Sequence, residues 1–156
     1  MGLDMYLKAS RYLSNYSFSN EKDRKDYASL LELAGLKGVD TSNHPSAEIS
    51  FTIAYWRKAN AIHNWFVQNC ADGKDDCKPV CVTRENLEAL LGLCKSVLAN
   101  PESANDNLPT KDGFFFGSTN YNEHYRRDIE NTVTMLESVL NNPAFDRWGF
   151  EYRASW

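Results

Sequence analysis

Tyr55-Trp56-Arg57-Lys58-Ala59-Asn60-Ala61-Ile62-His63-Asn64-Trp65-Phe66 places aromatic rings beside Arg, Asn and His, where an ordinary amphipathic helix carries Leu and Ala. Read as a helix turning about 100° per residue, it aligns Trp56, Asn60, His63 and Val67 on one stripe, with Arg57 and Asn64 beside it. Tyr55, Ala59, Ile62 and Phe66 fill the other faces, so the helix is expected to be buried. A buried polar group left without a partner costs about 1–3 kcal/mol. The stripe is therefore either an internal hydrogen-bond network or the wall of a binding site.

Working outward, Ile49, Phe51 and Ile53 alternate with smaller or polar residues and predict a strand running straight into this helix. Leu3, Met5 and Leu7 predict a half-buried first strand, with Asp4 and Tyr6 on its other face. Residues 14–25 read as irregular, followed by a short helix through Tyr27, Leu30, Leu31 and Ala34 that Gly35 closes. Pro79 to Val82 suits an edge strand, where proline is tolerated. Thr83 is a good helix N-cap, and Leu87, Leu90, Leu91, Cys94, Val97 and Leu98 form an apolar stripe behind it.

Residues 100–113 read as a loop, and Phe114-Phe115-Phe116-Gly117-Ser118-Thr119 as a short strand or turn. A last helix carries Tyr125, Ile129, Val133, Leu136 and Leu140 and ends before Pro143. Phe150, Tyr152, Ala154 and Trp156 alternate in a final strand. Alternating strands among longer helices predict an α+β fold, residues 1–156 forming one compact domain. Its sheet is expected to be small and mainly antiparallel, with three or four helices packed on one face.

A formal net charge of -4 argues against broad nucleic-acid binding, which needs a basic surface to displace counterions. No apolar run reaches the roughly 18–20 residues that cross a bilayer, and the N-terminus has no signal-peptide pattern. The expectation is a soluble protein of the cytoplasm, without a membrane partner. Cys70, Cys77 and Cys81 with His63 have the composition of a zinc site, but no Cys-x-x-Cys pair is present, so free thiols are the reading and no metal or cofactor is assigned.

Arg57, Asn60 and His63 together suit a carboxylate or phosphate, Arg offering a planar fork and His a donor or base. Asp4, Tyr6, Trp56, Asp76 and Ser118 complete the candidate ligand site, with Tyr6 or Trp56 as a stacking ring. Asp75-Asp76 beside Gly73 and Lys74 is equally the composition of a solvated turn. Gly117-Ser118-Thr119 before a helix, with Arg126 and Arg127 inside it, suits an anion, although the Walker arrangement is absent. No complete nucleophile–base pair and no hydrolase, zincin or dinucleotide motif can be assembled, so binding ranks ahead of catalysis and no catalytic residue is assigned.

Four blocks taken in order resemble a family of small uncharacterised proteins of bacteriophages and prophage-bearing bacteria. They are Met1-Gly2-Leu3-Asp4-Met5-Tyr6-Leu7, Tyr55 to His63, Asp75-Asp76-Cys77 and Gly113 to Thr119. The resemblance extends to Trp156 and brings no established activity. It implies a bacterial-cell cytoplasm and an accessory phage role exercised by binding, to a host or defence protein or to a signalling nucleotide. The first would call for an exposed apolar patch, the second for convergence of the named side chains on one cavity.

Overall fold

The computed structural model describes residues 2–156; Met1, the first residue of the block that opens the resemblance, lies outside them. The chain is α+β, with a four-stranded antiparallel sheet in the order β2-β1-β4-β3. Strand β1 spans Asp4–Ser14, β2 Ser46–Arg57, β3 Val80–Val82 and β4 Gly149–Ser155. The α-helices are α1 Glu21–Leu33, α2 Asn60–Cys70, α3 Arg84–Ala99, α4 Ala104–Asn107 and α5 Glu123–Leu140. The chain divides into two compact units, one formed by the residues up to Ala9 with Thr52–Trp156, the other by Ser10–Phe51.

The larger unit holds α2 to α5 and the core. Met5, Leu7, Ala9, Ala54, Trp56, Val82, Phe150, Tyr152 and Ala154 face inward from the strands. Leu87, Leu90, Cys94 and Val97 of α3 and Ile129, Leu136 and Val139 of α5 meet them. Helices α3 and α5 pack along each other, with Lys95 Nζ 2.6 Å from Glu137 Oε1 across their outer edge. Thr83 caps α3 through a reciprocal bond pair with Asn86, and Asn122 caps α5 by accepting from the N–H groups of His124 and Tyr125. Val80 pairs with Tyr152 and Val82 with Phe150, which makes β3 the edge strand that the proline before it suggested.

In the smaller unit, Arg11 donates to Asp23 at 2.6 Å and to Asp26 at 2.9 Å, and Asn20 caps α1. That helix begins at Glu21, so residues 21–25 are helical rather than irregular: the Asn20 cap and the acidic first turn start it before the first apolar residue.

The stretch from Tyr55 to Phe66 is the main correction. It is not one helix: β2 continues through Arg57, and α2 starts at Asn60. Trp56 and Asn60 stand four apart, which mimics a helical stripe, but Ala54 and Trp56 alternate inward as strand residues while Phe51 is 58% exposed. Aromatic and β-branched residues favour the pleated conformation here. Lys58, at φ 60, breaks the strand and turns the chain into α2. Residues 100–113 are also not a plain loop, since they hold a 3-10 turn at Pro101–Ser103 and helix α4. Phe114–Thr119 forms a turn and no strand. No helix among the described residues is long and apolar enough to cross a membrane.

Candidate functional site

Two elements of the larger unit build a cleft. Lys58 donates its N–H to Leu3 O at 2.8 Å and accepts from Asn60 N–H at 2.9 Å, which fixes the sharp turn into α2. The residue before that helix, Ala59, offers no side-chain cap. The N–H groups of Ala61 and Ile62 therefore meet no protein acceptor among the described residues. Asn60 reaches across to the 111–118 segment, where its Nδ2 donates to Phe116 O at 3.1 Å and Ser118 O at 2.8 Å, and its Oδ1 accepts from Lys111 N–H at 3.2 Å.

That segment can approach because of two glycines. Gly117 has φ +87, and a side chain there would meet Lys58 Cβ at 3.2 Å. A side chain on Gly113 would strike the Phe116 ring at 2.6 Å. The result is a cavity of about 370 Å³ lined by Arg57, Lys58, the start of α2, Gly117, Ser118 and the first two turns of α5. The N-cap residue Asn122 lines it too, with His124 and Asp128 from helix α5. Burial pushes the Asp128 carboxyl up to about 6, against the opposing pull of His124 and Arg127.

Of the residues expected at a ligand site, Arg57, Asn60 and Ser118 line this cavity. Asn60 does so with its amide fully engaged, as a clamp that holds the wall. His63 lies elsewhere. It is 1% exposed, with Nδ1 2.8 Å from the Tyr152 hydroxyl and Nε2 3.0 Å from Asp75 Oδ2. Asp75 also accepts from the Trp156 indole at 3.1 Å, and the Phe116 ring stands edge-on to the imidazole. The crevice beside His63 holds only about 10 Å³.

Asp76 pairs with Lys78 Nζ at 2.8 Å, which holds its carboxyl below the usual range, so Asp75 rather than Asp76 is the carboxylate on His63. Trp56 is buried, its indole donating to Thr132 Oγ1 at 2.8 Å. Asp4 accepts from the Tyr55 hydroxyl, and Tyr6 packs on the Tyr55 ring at 5.3 Å, away from the cleft. The eight residues are thus not brought to one cavity. Lys58, Asn122, His124 and Asp128 line it without having been singled out, and the signal for them was the Gly117-Ser118 turn followed by a helix start. Arg126 turns aside to Glu130 at 2.9 Å.

Among the described residues no group of three or more His, Cys, Asp or Glu side chains sits together to hold a metal ion. Cys94 is packed in the core, and burial raises its thiol to about 12. Cys70 is raised to about 11, chiefly by burial and then by Cys81. Large apolar side chains are exposed in both units. Phe18 and Leu33 are 85% and 86% exposed in the smaller one, and Phe114 is 95% exposed in the larger. Family models, curated proteins and solved structures were all compared with the chain, and none of them matches it.

Proposed function

We propose that this is a binding protein whose cleft takes a small anionic ligand, a phosphate or carboxylate compound, in the setting of the phage or prophage accessory role that the resemblance implies. The observation that carries the reading is the meeting of Arg57 and Lys58 with the uncapped start of α2 in one cavity of about 370 Å³. Free N–H groups at a helix start carry partial positive charge and point at a ligand, and two cationic side chains add to the same field. Ser118, Asn122 and His124 supply further polar groups at the opposite wall. Covalent chemistry is not part of the proposal, because the histidine of α2 is engaged at both nitrogens inside the fold.

The test is titration with inorganic phosphate at constant ionic strength, followed by amide NMR. The expected result is saturable movement of the Ala61 and Ile62 resonances, lost in Arg57→Gln with Lys58→Gln. Unmoved resonances at those two amides would end the reading.

Contact with a host or defence protein is a second reading, favoured by the exposed Phe18, Leu33, Leu36 and Val39 of the 10–51 unit. Its test is co-purification from phage-infected cells with the native chain against a Phe18→Ser, Leu33→Ser variant. A partner retained equally by both would count against it.

A further inference from the structure

A second cavity, of about 400 Å³, lies where the end of α3 meets the start of α5. Arg84 at the start of α3 donates to Leu140 O at the end of α5, so the two helices run antiparallel. Pro101 turns the chain out of α3, and Asn107 Nδ2, donating to Ser96 Oγ at 3.3 Å, holds α4 back against that helix. The space left between them is lined by Leu98, Pro101, Ala104 and Ile129 and by the rings of Tyr121 and Tyr125. Its volume falls in the range of about 300–1,000 Å³ that small-molecule sites occupy.

The polar groups around this cavity are already engaged. The Tyr125 hydroxyl donates to Leu108 O at 3.0 Å. The Tyr121 hydroxyl donates to Asn105 Oδ1 at 3.1 Å and accepts from the Thr110 N–H at 3.3 Å. Asn122 Oδ1 serves as the cap of α5. What the tyrosines offer is their rings, which stand at 78° with centroids 4.9 Å apart and so form a corner. Aromatic ring faces are electron-rich and attract cations.

Charge at the rim points the same way. Arg126 lines the cavity but directs Nε to Glu130 at 2.9 Å, whereas Glu123 has no ion pair among the described residues. The phosphate cleft shares Asn122, Tyr125 and Ile129 with this cavity, yet it gathers Arg57, Lys58 and free N–H groups instead. The two cavities beside the start of α5 therefore have opposite electrostatic character.

We propose that the second cavity is a binding site for a small quaternary ammonium compound with an apolar body. The body packs on Leu98, Ala104 and Ile129, and the charged head sits between the tyrosine corner and Glu123. A quaternary head asks for no hydrogen-bond acceptor, which suits walls whose hydroxyls and amide are occupied. An anion would face the Glu123 carboxylate, and a neutral compound would gain nothing from it.

The probe is benzyltrimethylammonium, titrated into the full chain at constant ionic strength and followed by methyl NMR. The expected result is saturable movement of the Leu98, Ala104 and Ile129 methyl resonances. Benzyl alcohol and phenylacetate are each expected to bind about tenfold more weakly than the cation. Glu123→Gln keeps the shape of an exposed side chain and is expected to weaken the cation about threefold, and Tyr121→Leu about tenfold. Unmoved methyl resonances, benzyl alcohol bound as tightly as the cation, or native affinity in Glu123→Gln would each overturn the proposal.

Discussion

His63 and Tyr152 are joined by a buried bond of 2.8 Å between Nδ1 and the phenol oxygen. With Nε2 3.0 Å from Asp75 Oδ2, the imidazole is bonded at both ring nitrogens. Burial raises the Tyr152 phenol well above its ordinary value, which keeps that hydroxyl protonated. The pair ties α2 to β4, and Asp75 ties both to the loop after α2. Tyr152→Phe is expected to lower stability by about 1–2 kcal/mol in urea denaturation, since it leaves a buried nitrogen unpaired. Phosphate affinity in the cleft is expected to stay unchanged, and a parallel loss would show that the two regions act as one site.

A second buried pair offers a cleaner stability test. The indole of Trp56 donates to the Thr132 hydroxyl, which itself donates to Asp128 O at 2.7 Å within α5. Thr132→Val preserves shape but leaves the indole N–H without an acceptor, and is expected to cost about 1–2 kcal/mol. Adding Trp56→Phe removes the stranded donor, so the double variant is expected to lose less than the two single losses combined. Additive losses in the four-way denaturation cycle would deny the coupling.

What the sequence reveals depends on how local the determining interaction is. Helix α3 could be read from Thr83 and an apolar repeat ending at Leu98, and β4 from the alternation of Phe150, Tyr152 and Ala154, because each pattern repeats within a few residues. The Trp56 to Asn60 spacing satisfied the helical period by coincidence, and the break between them sits in the backbone of Lys58, a residue type with no preference for positive φ. The partners of Asn60 lie more than fifty positions away, which no local period encodes. Arg57, Asn60 and Ser118 do line one cavity; a cationic residue and a glycine turn before a helix start are both visible in composition. His63 and Asp76 were drawn in with them by spacing alone, and neighbouring Asp75 holds the imidazole instead.

Asn60→Ala is expected to act on stability and binding together. Three hydrogen bonds end on this side chain, and its loss leaves the carbonyls of Phe116 and Ser118 and the Lys111 N–H to find water. The expected cost is about 2–3 kcal/mol in chemical denaturation, with phosphate affinity reduced about tenfold as the Gly117-Ser118 wall moves. Retained affinity in the folded variant would mean that the wall is held by something other than this amide.

Lys58→Gly separates strain from charge. A lysine at φ 60 sits in a region that glycine enters freely, and relief is expected to add up to about 1 kcal/mol of stability, measured as a raised denaturation midpoint. The same change removes a cation from the cleft, so phosphate affinity is expected to fall. Stability and affinity thus move in opposite directions, and a variant losing both would show that the lysine stem packed beside Gly117 outweighs the backbone term.

The Asp128 carboxyl gives the cleft a pH dependence of definite sign. Its folded value is raised by burial to about 6, above the ordinary carboxylate value of 3.8, so between these values the native state holds a proton that the unfolded chain has released. The raised value therefore favours folding at low pH, and that contribution is lost as pH rises through about 6. Asp128→Asn removes the buried charge and is expected to raise the midpoint of thermal unfolding by about 2–4 °C at pH 7, with no gain near pH 4. The carboxylate also opposes an anion in the cavity it shares with Arg57 and Lys58. Asp128→Asn is expected to tighten phosphate binding at pH 7.5 more than at pH 5.5, because the native carboxyl holds its proton more of the time at the lower pH. Calorimetric titration of both proteins at the two pH values checks this, and an equal gain at both pH values, or none at either, would count against it.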